Sequence, residues 1–206
     1  SLTKITHFSR ADEPETGRTE QQLETFLDAT ADLEGPASLS NSAGVLAWPG
    51  AHGDWVRPGI MLYGSSPFGF EQPQAAQLRP VMQLDSRVIA VHQIAAGEPI
   101  GYGSRFVTGR PSRIGVVAMG YADGYPRHAP DGTPVLVEGQ RSRLIGRVSM
   151  DLTTLDLRAA PAAAVGSEVV AWGTGLPVER VADHAGTIGY ELLTKVTGRV
   201  PRRYIG

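Results

Sequence analysis

Between Glu13 and Ala31 the apolar residues Leu23, Phe26 and Leu27 fall at helical spacing among polar neighbours, and Pro14 suits an early helical position. The pattern predicts a helix there, ended by Gly35-Pro36. Before it, Ser1 to Phe8 reads as a short strand. After it, Ala37 to Leu46 is small and apolar around Asn41-Ser42. Asp54 to Tyr63 then reads as another strand, with Pro58-Gly59 inside it. Strand, helix, strand, short helix, strand is an α/β rhythm with parallel pairing.

The texture changes between Ser65 and Leu78, where Ser65-Ser66-Pro67, Gly69 and the Gln/Pro/Ala stretch from Gln72 to Gln77 read as a connector. Beyond it apolar runs are short: Val81 to Val91, Ile114 to Met119, Val135 to Val137, Leu144 to Val148 and Val169 to Trp172. Turn residues at Gly97, Gly109, Asp131-Gly132, Gly139 and Gly173 separate them, which predicts an all-β module. A helical patch follows at Val178 to Ala185, and a last strand is expected near Arg199 to Ile205. The expected division is therefore residues 1–78 and residues 79–206. The α/β part holds about three strands, whereas a complete (β/α)8 barrel needs about 250 residues. Three parallel strands with open edges make a poor independent sheet.

Composition narrows the chemistry. Nineteen Lys+Arg against 21 Asp+Glu leave a formal net charge of −2, which argues against a nucleic-acid surface. The absence of Cys rules out disulfides, thiolate zinc sites and cysteine nucleophiles, and is compatible with the cytosol. No apolar run approaches the roughly 18 residues of a membrane span. Ser1 to Arg10 lacks the shape of a signal peptide. Lys4 and Lys195 are the only lysines, so chemistry that needs a lysine has two candidates.

Several short segments could carry function. Asn41-Ser42-Ala43-Gly44 and Arg57-Pro58-Gly59-Ile60 follow predicted strands, where small residues and free backbone N–H groups suit an anion; they read equally as a helix cap and a bend. Gly101-Tyr102-Gly103 presents a tyrosine between two glycines. A tyrosine with its reference pKa of about 10 needs help to act as a base near neutrality, and the alternative is a turn with a packed ring. Gly120-Tyr121-Ala122-Asp123-Gly124-Tyr125, Ser149-Met150-Asp151, Gly189-Tyr190-Glu191 and Thr6-His7-Phe8 are each weak alone. Dinucleotide loops, P-loops, paired zinc histidines and Gly-x-Ser-x-Gly elbows are missing.

Taken together and in order, these segments resemble the alanine racemases, which use pyridoxal 5'-phosphate (PLP). The match is carried by Thr6-His7-Phe8-Ser9-Arg10-Ala11-Asp12, Ser40-Asn41-Ser42-Ala43, Val56-Arg57-Pro58-Gly59-Ile60-Met61-Leu62-Tyr63-Gly64 and Gly101-Tyr102-Gly103. Gly120 to Tyr125, Gly146-Arg147-Val148-Ser149-Met150-Asp151, Gly189-Tyr190-Glu191-Leu192 and the C-terminal Arg199-Val200-Pro201-Arg202 complete it. The resemblance implies a partial (β/α)8 barrel over 1–78, its last three strands, followed by a mostly β C-terminal domain over 79–206. It implies interconversion of L- and D-alanine for peptidoglycan synthesis or alanine catabolism, in a cytoplasmic homodimer with no nucleic-acid or membrane partner.

Residue by residue, Tyr102 resembles the catalytic tyrosine on the L-alanine face, supplied by the partner subunit, and His7 and Arg57 resemble the pair that polarises it. Arg57 also resembles the arginine bonded to the PLP pyridine nitrogen. Ser42, the backbone at Gly59 and Ile60, and Tyr190 resemble the phosphate cradle, with Asn41 beside it. Met150 resembles the residue whose N–H holds the substrate carboxylate. Tyr121 and Tyr190 resemble an inner gate; Asp12, Arg127, Arg147 and Ile188 resemble the outer ring of the access corridor.

Two departures stand out. Ser38 occupies a position where some members carry His. More important, nothing matches the family segment that bears the PLP lysine, and neither Lys4 nor Lys195 lies in a comparable context. The chain is thus expected to be the C-terminal portion of a racemase that does not hold PLP covalently and is inactive alone. The alternative is a dimerisation or assembly module of a broader-specificity PLP racemase. A decarboxylase of that fold would carry Cys-Asp where Met150-Asp151 stands.

Overall fold

The computed structural model describes residues 2–205; Ser1 and Gly206 lie outside them. The chain divides into two compact units, residues 1–81 and 82–206.

The first unit is built around β1 (Lys4–Ile5), α1 (Arg18–Ala29), β2 (Ala37–Ser38) and α2 (Ser42–Ala47). β1 and β2 pair in parallel, Lys4 opposite Ala37 and Ile5 opposite Ser38. The strand expected over Asp54–Tyr63 is reduced to one parallel bridge, Ser38 to Trp55. Pro58 has no N–H for a ladder, and Ile60–Tyr63 turns into a 3-10 helix closed by Gly64 at φ 71°. The helix expected from Glu13 is a 3-10 turn at Pro14–Thr16, with α1 proper starting after Gly17. Phe8, Ala11, Phe26, Leu39, Ala43, Ala51, Phe68 and Ala75 form the core, flanked by Leu23, Leu46 and Trp48. Trp48 Nε1 donates to the carbonyl of Ala11 at 2.9 Å, which ties α2 to the segment after β1.

The second unit contains β3 (Leu84–Ile94), β4 (Pro99–Ile100), β5 (Phe106–Val107), β6 (Ser112–Val117), β7 (Pro134–Val137), β8 (Gln140–Arg143), β9 (Thr153–Asp156) and β10 (Glu168–Trp172). Helices α3 (Val178–Ala185) and α4 (Gly189–Lys195) follow. Six strands form an antiparallel sheet in the order β8-β7-β10-β3-β6-β9. Its outer strands meet: Leu144 bridges Leu155, the Ile145 N–H donates to the Thr154 carbonyl at 2.9 Å, and the Ser142 hydroxyl donates to the Asp156 carbonyl. The sheet is thereby curled on itself, which removes its free edges. Register breaks at Val88/Ala90 and Val170/Trp172 supply the curvature. Val117, Val135, Val137, Leu144, Leu155, Leu157, Val169, Ala171 and Trp172 are wholly buried. Tyr125 stacks on Trp172 with centroids 6.1 Å apart, and burial drives the Tyr125 phenol far above its usual range.

Two sequence expectations fail here. Leu144, Ile145 and Val148 are buried but form no strand; the ladder belongs to the polar segment Gln140–Arg143. Residues 201–205 form no strand and are exposed.

Candidate functional site

In the first unit the ends of β1 and β2 converge on Arg57. Its Nη1 donates to the Ser38 carbonyl at 2.9 Å and to the Ser38 hydroxyl at 2.7 Å. Its Nη2 donates to the Thr6 carbonyl at 2.8 Å and faces His7 Nδ1 at 3.3 Å. The backbone N–H of Arg57 donates to the Ser40 carbonyl at 2.8 Å. A guanidinium is a donor only, so in this contact His7 Nδ1 is the acceptor. With the Leu39 carbonyl 3.4 Å from Nη2, the guanidinium is aimed by five acceptors, and its Nε–H is left without a partner among the described residues. Ser38, at the position where some family members carry His, is buried and supplies two of those acceptors.

Beside it, the buried Ser42 opens α2. Its hydroxyl oxygen accepts the Gly59 N–H at 2.8 Å and the Met61 N–H at 3.3 Å, so its own hydrogen remains to be donated. The backbone N–H groups of Ser42 and Ile60 have no acceptor among the described residues, and a Cβ at Gly59 would meet open space. Three converging donors and a clear approach fit a phosphate. Asn41 is committed elsewhere: its Oδ1 caps the Gly44 N–H at 3.0 Å and its Nδ2 donates to the Phe8 carbonyl at 3.3 Å. Asp12 is exposed.

The second unit carries the remaining candidates on four loops. Tyr102 is 72% exposed, between Gly101 at φ 76° and Gly103 at φ 74°. A Cβ on Gly101 would come within 3.0 Å of the Arg147 nitrogen, so this turn lies against the segment that carries Arg147. Asp131 accepts the Gly146 N–H at 2.6 Å and pairs with Arg105 at 3.6 Å, which ties the same two loops together. The Tyr121 N–H donates to the Ser149 carbonyl and the Ala122 N–H to the Met150 carbonyl, both at 3.0 Å. Gly120 sits so close that a Cβ there would lie 2.2 Å from the Met150 oxygen. Arg127 lies 6.0 Å from the Tyr121 ring centroid, a cation–π approach. Tyr121 and Met150 are exposed, as are Arg127, Arg147, Ile188 and Tyr190. Tyr190 and Ile188 mark the start of α4. The Glu191 carboxyl of that helix is held low chiefly by Lys195 and then Thr187.

The first unit therefore brings together His7, Arg57, Ser42, Gly59 and Ile60, and the second brings together Tyr102 with Arg147 and Tyr121 with Met150 and Arg127. Neither lysine is free: Lys4 Nζ donates to the Leu33 carbonyl at 3.0 Å, and Lys195 pairs with Glu191. Among the described residues no cluster could hold a metal ion, and no helix is long and apolar enough to cross a membrane.

A donor cradle at a strand-to-helix turn, followed by a curled antiparallel sheet bearing exposed tyrosines, defines a two-part α/β-plus-β class. Family models for the alanine racemase N-terminal domain and C-terminal domain match residues 2–67 and 81–204. The chain is 57% identical to the catabolic alanine racemase of Pseudomonas putida and 58% to the alanine racemase of Azoarcus sp.. Both matches cover 100% of this chain and 57% of the relative. The crystal structure of the biosynthetic alanine racemase from Pseudomonas aeruginosa is 54% identical with a TM-score of 0.95, covering 100% of this chain and 57% of that one. Alanine racemase from Bartonella henselae with covalently bound pyridoxal phosphate is 31% identical, TM-score 0.89, covering 98% and 56%. The chain belongs to the alanine racemase family. It spans a little over half the length of these relatives.

Proposed function

We propose that this chain supplies part of a PLP-dependent alanine racemase, a homodimer that interconverts L- and D-alanine. In this reading residues 1–78 are the last three strands' worth of a PLP barrel and residues 79–206 the β domain. The observation that carries it is the Arg57 guanidinium, aimed by Ser38, Thr6 and His7 with Nε–H left over, beside the donors of Ser42 and Ile60. That donor set fits both ends of PLP: Ser42 Oγ–H with the Ser42 and Ile60 N–H groups for the phosphate, and Arg57 for the pyridine nitrogen.

PLP, when bound, supplies an electron sink that makes the alanine Cα–H acidic. Arg57 donates a hydrogen bond to the ring but, with a pKa above about 12, keeps its proton. The sink stays moderate, which limits side reactions. Tyr102 Oη takes and returns the proton on the L-alanine face, and the His7–Arg57 pair offers it positive polarisation. Tyr102 acts from the partner subunit. The Met150 N–H holds the alanine carboxylate, and Tyr121 with Tyr190 keeps the pocket alanine-sized. Asp12, Arg127, Arg147 and Ile188 line the approach.

The 206-residue chain by itself does not racemise alanine, because its lysines are Lys4 and Lys195 and both are engaged in surface contacts. The test is D-alanine formation from L-alanine with added PLP. The chain alone gives none above the PLP background. Supplying the remainder of the barrel from a relative restores activity, and Tyr102→Phe removes it again. Activity in the chain alone defeats the proposal.

A further inference from the structure

The C-terminal segment makes a contact that the racemase reading does not use. Arg199 faces two carboxylates with two different nitrogens: Nε lies 2.9 Å from Asp123 Oδ1, and Nη2 lies 2.7 Å from Asp151 Oδ1. The other oxygen of Asp123 accepts the Gly120 N–H at 2.8 Å, so Asp123 is locked into the Tyr121 turn. Asp151 directly follows Met150. Thr197 adds two bonds to the same turn: its N–H donates to the Asp123 carbonyl at 3.1 Å and its hydroxyl to the Ala122 carbonyl at 2.8 Å.

We propose that Arg199 is a positioning residue, a strap that fixes the spacing between the Tyr121 turn and the Met150 turn. The functional consequence, a gate held at one width over the carboxylate-binding N–H, rests on the racemase reading; the strap itself does not. An isolated exposed ion pair contributes little, because long side chains lose entropy and water screens the charge. This arrangement differs in two respects. One planar fork serves two carboxylates at once, and Asp123 is only 15% exposed and already oriented by Gly120. The two turns are otherwise joined by the N–H bonds of Tyr121 and Ala122 to Ser149 and Met150. Both turns lie at the surface, where local opening is easiest. Arg199 closes the open side of that pair.

Amide hydrogen exchange in the 206-residue chain tests this without cofactor or substrate. In Arg199→Ala the Tyr121 and Ala122 amides should exchange about tenfold or more faster, while β3 and β6 amides keep their rates. Arg199→Lys, which reaches one carboxylate at a time, should fall between. In Asp151→Asn the Ala122 amide should speed up and the Gly120 amide, still held by Asp123, should not. Raising salt in the unsubstituted chain should accelerate the same amides, because exposed pairs are screened. Unchanged Tyr121 and Ala122 exchange in Arg199→Ala, or equal protection in the Lys and Ala variants, overturns the strap. Should the Ala variant unfold globally, the Asp151→Asn pattern and the salt series decide. Failure of the racemase reading would show instead in the D-alanine assay and leave these exchange rates untouched.

Discussion

The two units solve the same problem in opposite ways. Residues 82–206 close a six-stranded sheet on itself, so every central strand is paired and the core residues Val117, Leu155, Leu157 and Trp172 are sealed. Among the described residues the first unit shows the two-residue parallel ladder and the Ser38–Trp55 bridge, and leaves Ile5, Trp55 and Leu62 more than 60% exposed. A parallel pair has no hairpin to join it and is slightly less stable per residue than an antiparallel one. The difference divides the candidate site as well. The open unit builds its chemistry from backbone N–H groups and one over-determined arginine. The closed unit presents exposed side chains, tyrosines above all, on its loops.

The largest expected effect sharpens that contrast. Leu155→Ala removes a fully buried side chain from the closed sheet and should cost about 2–5 kcal/mol, read from chemical denaturation of the β unit. A loss below 1 kcal/mol would mean that the sheet is not the sealed core described here. Next comes acid. Burial of the Asp156 carboxyl pushes its pKa up, but hydrogen bonds and charge from Arg158, then Arg143, outweigh it and bring it down to about 2 from an ordinary 3.8. A depressed carboxylate stabilises above its unfolded pKa. The contribution is therefore complete above about pH 4 and lost as pH falls toward 2. Asp156→Asn should flatten the stability curve between pH 4 and 2, and an unaltered curve would remove Asp156 from the account.

A smaller effect belongs to the open unit. Asn41→Ala deletes the cap on Gly44 and should cost about 1 kcal/mol, seen as faster exchange at the Gly44 amide with the β unit unaffected. Smallest in stability is Trp55→Gln on the exposed face, within about 0.5 kcal/mol. It should nonetheless reduce self-association of the isolated chain in sedimentation, since a large exposed apolar ring promotes it. Unchanged association would locate the sticky surface elsewhere.

Much of this was legible in the sequence, for reasons that differ by residue. Ser42 and Gly59 lie in segments that read equally as a helix cap and a bend, and His7 and Arg57 stood out only through the resemblance to the alanine racemases. The helix at Val178–Ala185 followed from its apolar spacing. The strand at Gln140–Arg143 could not be read, because a polar edge strand has no apolar alternation; Leu144, Ile145 and Val148 beside it are buried in a loop instead. Thr153–Asp156 was hidden for a similar reason, its Thr and Asp side chains serving ladder ends and Arg pairs. The Asp54–Tyr63 expectation overrated β-branched and aromatic content against Pro58. The pairing of Arg199 could not be read, since its partners lie 76 and 48 positions away and only the fold joins them.

We propose that Arg57, Ser42 and Ile60 of the first unit hold PLP with neither Lys4 nor Lys195 bonded to it. The most direct measurement is titration of the 206-residue chain with stoichiometric PLP, followed by dialysis, borohydride and intact mass. The predicted result is reversible binding, weakened by Ser42→Ala, with the mass unchanged after reduction. A single PLP adduct that survives dialysis and maps to Lys4 or Lys195 would contradict it.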